Sequence, residues 1–165
     1  MNEATPPGVL VVGVGNELRG DDGAGLEVAR RARQRAGGHD IDVRELRGDP
    51  IELLDAWVGR VAVVLVDTMR SGARPGTVLR LDSSYEPLPA AYRHRPSSTH
   101  ATGVAETIEL ARALGRLPQH VIVYALEGRR FDAGAGLSDE IAAIVPAVAD
   151  RVLREARSLR SVTAQ

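Results

Sequence analysis

The chain has 165 residues and a formal charge of -1, from 21 basic and 22 acidic residues, so no overall field draws it to nucleic acid or a membrane surface. It has no Cys, which removes disulfides, thiolate zinc sites and iron–sulfur ligation. One Trp, one Phe and three Tyr leave no aromatic platform for stacking bases, and the core must be built from Val, Leu, Ile and Ala. The N-terminal MNEATPPG lacks the basic-then-apolar pattern of a signal peptide. No apolar run approaches the ~20 residues that span a bilayer. A cytoplasmic protein is the expectation, and the length suits one domain over residues 1–165 with its core at about 9–153.

The first apolar run, Val9–Val14, is continuous and β-branched, as in a parallel strand covered on both faces. It ends in Gly13, Gly15 and Asn16. In the segment that follows, GAGLEVARRARQRAGG, Leu26, Ala29, Ala32 and Arg33 keep helical spacing, and Gly37-Gly38 stop it. Ile41–Arg47 alternates apolar and polar like a half-covered or edge strand. Pro50–Val58 reads as a short helix opened by Asp49, with Pro50 at its first position. Val61–Val66 is a second buried run, stopping at Asp67, and Thr77–Leu81 is a short alternating strand. Residues 83–97, rich in Ser, Pro and Arg, read as a loop. Val104, Ile108, Ala111 and Leu114 give one apolar face to a helix over Ala101–Leu114. Val121–Leu126 is the third buried run. A Gly-rich loop leads to a last helix near Ser138, whose hydroxyl suits an N-cap, with Pro146 expected to kink or divide that helix. Alternating strands and helices make the class α/β, with five strands, mostly parallel, and helices on both faces.

Open parallel sheets bind ligands outside the carboxyl ends of their strands. Asp21 and Asp22 follow the first strand, Asp67 ends the second buried run, Glu127 ends the third, and His100 precedes a helix. Two carboxylates and an imidazole, Asp22, Asp67 and His100, form a sensible set for Ni, Zn, Fe or Mn, with a position left open for substrate. Each also has a plainer role: Asp21 and Asp22 as a turn and helix cap, Asp67 as a structural acid, His100 as an exposed capping residue. Gly13-Val14-Gly15 invites a dinucleotide reading, but the sixth position is Leu18, and two acids stand where phosphate would need free amides. No nucleotide cofactor is expected. The chain has no Walker-type lysine, nucleophile elbow or His-Glu-x-x-His motif.

The segment VVGVGNELRGDDGAGLEVARR resembles the N-terminal signature of hydrogenase maturation proteases, which trim the large subunit of nickel–iron hydrogenases. The likeness continues in VVLVDTM, in SSTHATGVAETIEL and in GRRFDAGAGLSDEIAAIVPAVADRVL, covering roughly Val9 to Leu153. The resemblance implies a three-layer α/β/α sandwich of the phosphorylase/hydrolase-like kind, with a twisted, mostly parallel five-stranded sheet. It also implies a metal held by Asp22, Asp67 and His100; Asp22 stands where the family often has Glu. The implied activity is endopeptidase removal of a C-terminal extension from the hydrogenase large-subunit precursor after nickel insertion. On that reading the nickel is borne by the substrate and contacted transiently, and Asp22 or Asp67 activates water as general base. Asn16 and the amides near Gly15 would stabilise an oxyanion. The alternatives are a non-proteolytic nickel-binding assembly factor, or another metallohydrolase on the same fold. Arg70, Arg74, Arg93, Arg95, Arg129 and Arg130 would meet an acidic partner, or are ordinary loop charges. The sequence leaves the oligomeric state open.

Overall fold

Strand order explains where a site can form. The computed structural model describes residues 8–37, 41–93 and 103–163. Its five strands are β1 (Val9–Val14), β2 (Asp42–Leu46), β3 (Ala62–Met69), β4 (Val78–Asp82) and β5 (His120–Glu127). They lie in the order β2-β1-β3-β5-β4, with only β4 antiparallel to its neighbour. The helices are α1 (Ala24–Ala36), α2 (Pro50–Trp57), α3 (Ala90–Arg93), α4 (Val104–Ala113) and α5 (Asp139–Thr163). The expected α/β class and mostly parallel sheet are what the chain forms.

The strictly two-sided strands sort the core into two halves. Val9, Val11, Val64 and Val66 face α1 and α5, while Leu10, Val12, Val63 and Leu65 face α2 and α4. The first crossover, through α1, therefore covers one face, and the second, through α2, covers the other. The chain leaves β1 towards β2 and returns to β3 on the far side of β1, so the order in which strands are added reverses between β1 and β3, which stay parallel. Parallel sheets open a crevice at that reversal, outside the strands' carboxyl ends.

Local chemistry sets the ends of several elements. Asp49 accepts from the amides of Ile51 (2.9 Å) and Glu52 (3.1 Å), capping α2 ahead of Pro50, as expected. Two expectations need correction, and a third, that Pro146 kinks or divides the last helix, loses its second alternative. β3 does not stop at Asp67; Asp67, Thr68 and Met69 stay in register with Ala125, Leu126 and Glu127 of β5. Residues 83–97 contain the short helix α3. Pro146 does not divide the last helix, which runs unbroken for 25 residues. The carbonyl that Pro146 cannot bond belongs to Ala142, an exposed residue, so water can take the missing donor's place.

Glycines let α1 begin hard against the strand ends. A Cβ on Gly25 would overlap the carbonyls of Val14 and Val66, and one on Gly13 would overlap the carbonyl of Gly25. In the Gly-x-Gly that hinted at dinucleotide binding, Gly13 serves helix-on-strand packing and Gly15 lets the loop pass close to the Asp22 carbonyl. No helix among the described residues is long and apolar enough to cross a membrane.

Candidate functional site at the carboxyl edge of the sheet

Beyond Val66, β3 has lost its β1 neighbour, since the last β1–β3 pair is Gly13 with Val66. The space is taken by the loop after β1, which closes in one 3-10 turn over Gly20–Gly23. Thr68 Oγ1 donates to the carbonyl of Asp21 at 2.8 Å, which pins this loop to β3. Asp22, half-buried in the turn, and Asp67, 1% exposed on β3, are therefore brought to the same edge, flanking the reversal point. Side chains alternate along β3, so Thr68 faces the α1/α5 layer and Asp67 the α2/α4 layer.

Asp67 is buried among donors. Its Oδ1 accepts the amide of Thr68 at 2.8 Å, and its Oδ2 accepts the phenol of Tyr92 at 2.7 Å. Burying a carboxylate is costly unless donors satisfy it, and these two belong to different layers of the fold. Tyr92 lies in what reads from sequence as loop, and only its aromatic character in a polar stretch signals a buried role.

The neighbouring Asp21, fully buried, has a different task. It accepts the amides of Arg129 (2.7 Å), Arg130 (2.9 Å) and Ser138 (2.7 Å), and the Ser138 hydroxyl (2.8 Å). Its own amide donates to the carbonyl of Arg130 at 2.7 Å. Burial works against its charge, but the amides of Ser138, Arg130 and Arg129 and the Ser138 hydroxyl more than offset it and hold the carboxyl below its ordinary value. The Ser138 hydroxyl, expected to cap α5, is spent on Asp21. Glu127 is likewise an anchor: it accepts the amides of Ser71 and Gly72 and the Ser71 hydroxyl, fastening the β3–β4 loop.

The oxyanion expectation changes. The amide of Gly15 donates to Leu46, that of Asn16 donates to Asp22, and Asn16 Oδ1 accepts from Leu18. These groups hold the loop's shape, and the two amides do not face a reacting carbonyl. Around the rim Arg129 pairs with Glu140 at 2.5 Å, Arg130 reaches the carbonyl of Leu137, and Arg70 lies over the Phe131 ring. Arg74 is exposed. The side chain of Arg93, Arg95 and the third expected metal ligand, His100, lie outside the described residues. Among the described residues no three His, Asp or Glu side chains converge as a metal-binding group. The two carboxylates, Asp22 and Asp67, would suit a divalent ion as part of a larger set.

Comparison with known proteins gives the chain a family. A family model described as "HycI: Hydrogenase maturation protease" matches residues 37–155. The hydrogenase expression/formation protein HupD of Thiocapsa roseopersicina is 32% identical over 128 residues, covering 76% of this chain and 57% of that protein. The chain thus spans little more than half of that relative. The hydrogenase 2 maturation protease of Escherichia coli K12 is 25% identical over 151 residues, 90% of each protein. The solved structure of the E. coli hydrogenase maturating endopeptidase HybD superposes with a TM-score of 0.76, at 25% identity, covering 91% of this chain and 92% of that one. On these matches, the chain belongs to the hydrogenase maturation protease family, a family of peptidases.

Proposed function

We propose that the protein is an endopeptidase that removes the C-terminal extension of a nickel–iron hydrogenase large-subunit precursor once nickel is in place. The observation that supports it most is the pair of acids, Asp22 and Asp67, on the two sides of the sheet's reversal point. One acid sits in a glycine-hinged turn and the other is buried and held by hydrogen bonds. In this reading Asp22, Asp67 and His100 contact the nickel that the substrate carries. Carboxylate and imidazole donors suit such an ion, and a transient contact needs no tight resident site. One of the two carboxylates takes a proton from the water that adds to the scissile carbonyl and returns it to the departing amine. Asp21 has no part in this, because its acceptor positions are committed to the loop after β5. The protein would act as a single domain in the cytoplasm, where its large-subunit partner would be assembled.

The test is a comparison of nickel-loaded and nickel-free precursor, followed by the shift in size of the large subunit. Cleavage of the loaded form alone is expected. Equal rates on both would overturn nickel sensing, and binding without shortening would overturn the peptidase. Full activity in His100→Ala would remove His100 from the ligand set.

A further inference from the structure

We propose that Tyr92 is a positioning residue of this site: its phenol holds the Asp67 carboxylate in the orientation in which it meets substrate. The inference rests on the function proposed above. Tyr92 is 5% exposed, and its ring belongs to the apolar half-core with Leu53, Trp57, Leu88 and Ile108. Its amide donates to the carbonyl of Pro89 at 3.0 Å, closing the turn that carries the ring. A ring fixed in this way gives its hydroxyl little freedom. The hydroxyl ends 2.7 Å from Asp67 Oδ2.

The geometry of Asp67 explains why such a contact matters. The Thr68 amide, one residue along the same strand, holds Oδ1. Alone, that bond would let the carboxylate swing about its last torsion, which is soft. A second bond from another layer, to the other oxygen, fixes the plane of the group. The two bonds fall on different oxygens of the group, one from its own strand and one from α3. Filling the apolar space needs only a ring; the hydroxyl is an addition that the packing does not require. Partners of this kind, which orient a metal-contacting carboxylate without touching the metal, typically change affinity or activity by roughly 10- to 100-fold when removed.

The test uses Tyr92→Phe, which keeps the ring, with nickel-loaded precursor as substrate. A fall in kcat of roughly 10- to 100-fold with KM within about twofold is expected, because the altered group orients a reacting side chain and does not bind the substrate's bulk. In an Asp67→Ala background the same change should have no further effect, since the residue it positions is gone. Wild-type kcat in Tyr92→Phe, beside an inactive Asp67→Asn, overturns the inference and leaves the function standing. An equal loss in kcat from Tyr92→Phe on top of Asp67→Ala also overturns it, because the effect would then run through general packing. An Asp67→Asn protein that cleaves as well as wild type overturns the proposed function, and the role of Tyr92 falls with it.

Discussion

Asp21 and Asp67 are both buried acids on the carboxyl edge of one sheet, yet they face opposite layers and have different surroundings. Asp21, on the α1/α5 side, is bonded by one distant loop, Arg129 to Ser138, through three amides and a hydroxyl. Asp67, on the α2/α4 side, is met by its own strand and by a core tyrosine. The first arrangement spends a charge on closing the fold. The second orients an acid beside the point where the strand order reverses, between β1 and β3. Burial alone therefore does not tell these two acids apart; the identity of their donors does.

Substituting each acid by Asn should separate the two roles. Asp67→Asn is expected to lower cleavage of nickel-loaded precursor by at least about 100-fold, the scale of a lost general base or metal contact. Its unfolding free energy should stay within about 1 kcal/mol of wild type, since the amide oxygen can still accept from Thr68 and the amide nitrogen can donate to the Tyr92 phenol oxygen, which backbone N–H groups cannot offer. Asp21→Asn should do the reverse. An amide nitrogen cannot accept, so at least one buried N–H of the 129–138 loop loses its partner, and the charge that strengthened the others is gone. A loss of about 2–4 kcal/mol is expected, or roughly 5–15 °C in melting temperature. Urea unfolding and a gel-based cleavage assay read both effects. A stable Asp21→Asn would show that the 129–138 loop is held by something other than this carboxylate.

A smaller effect sharpens the same contrast through pH. Because the Asp21 carboxyl is held below its ordinary value of 3.8, the folded state binds its proton less readily than the unfolded chain. Its contribution is complete above the unfolded value and disappears as pH falls through the folded value. Wild type should therefore lose stability between about pH 4 and lower pH more steeply than Asp21→Asn does. Asp82 and Glu155, whose carboxyls are also held low, remain in both proteins and cancel from the difference. Parallel acid limbs would contradict the assignment.

Much of this layout can be read without coordinates, for a physical reason. The three parallel central strands are covered on both faces, so each appears as an unbroken apolar run, and the acids that follow those runs mark the carboxyl edge. Asp49-Pro50 announces α2 by local chemistry alone. The features that stay hidden depend on contacts far along the chain. Asp21 is recognised as an anchor only when Ser138, 117 residues away, is seen to donate to it. The extra length of β3 comes from pairing with β5 after β1 has ended. Tyr92 reaches Asp67 from a segment with no strong helical period. Pro146 looks disruptive in sequence because the exposure of Ala142, which makes the proline tolerable, is a property of the folded surface.

A third acid, on α5 where it meets β4 and β5, sets the lower limit of this comparison. Glu155 accepts Arg80 through both oxygens, at 2.7 and 2.9 Å, and Tyr124 at 2.9 Å. The Arg80 bonds chiefly hold its carboxyl below the ordinary range, with the Tyr124 bond adding to them against burial. The Arg80 side chain is 40% exposed, so water and salt screen the pair. Arg80→Ala should cost no more than about 1 kcal/mol, and 1 M salt should erase most of that difference. Glu155 would keep its bond from Tyr124. A loss as large as that of Asp21→Asn would mean that the β4 edge depends on this pair, and that donor number rather than burial sets what an acid contributes here.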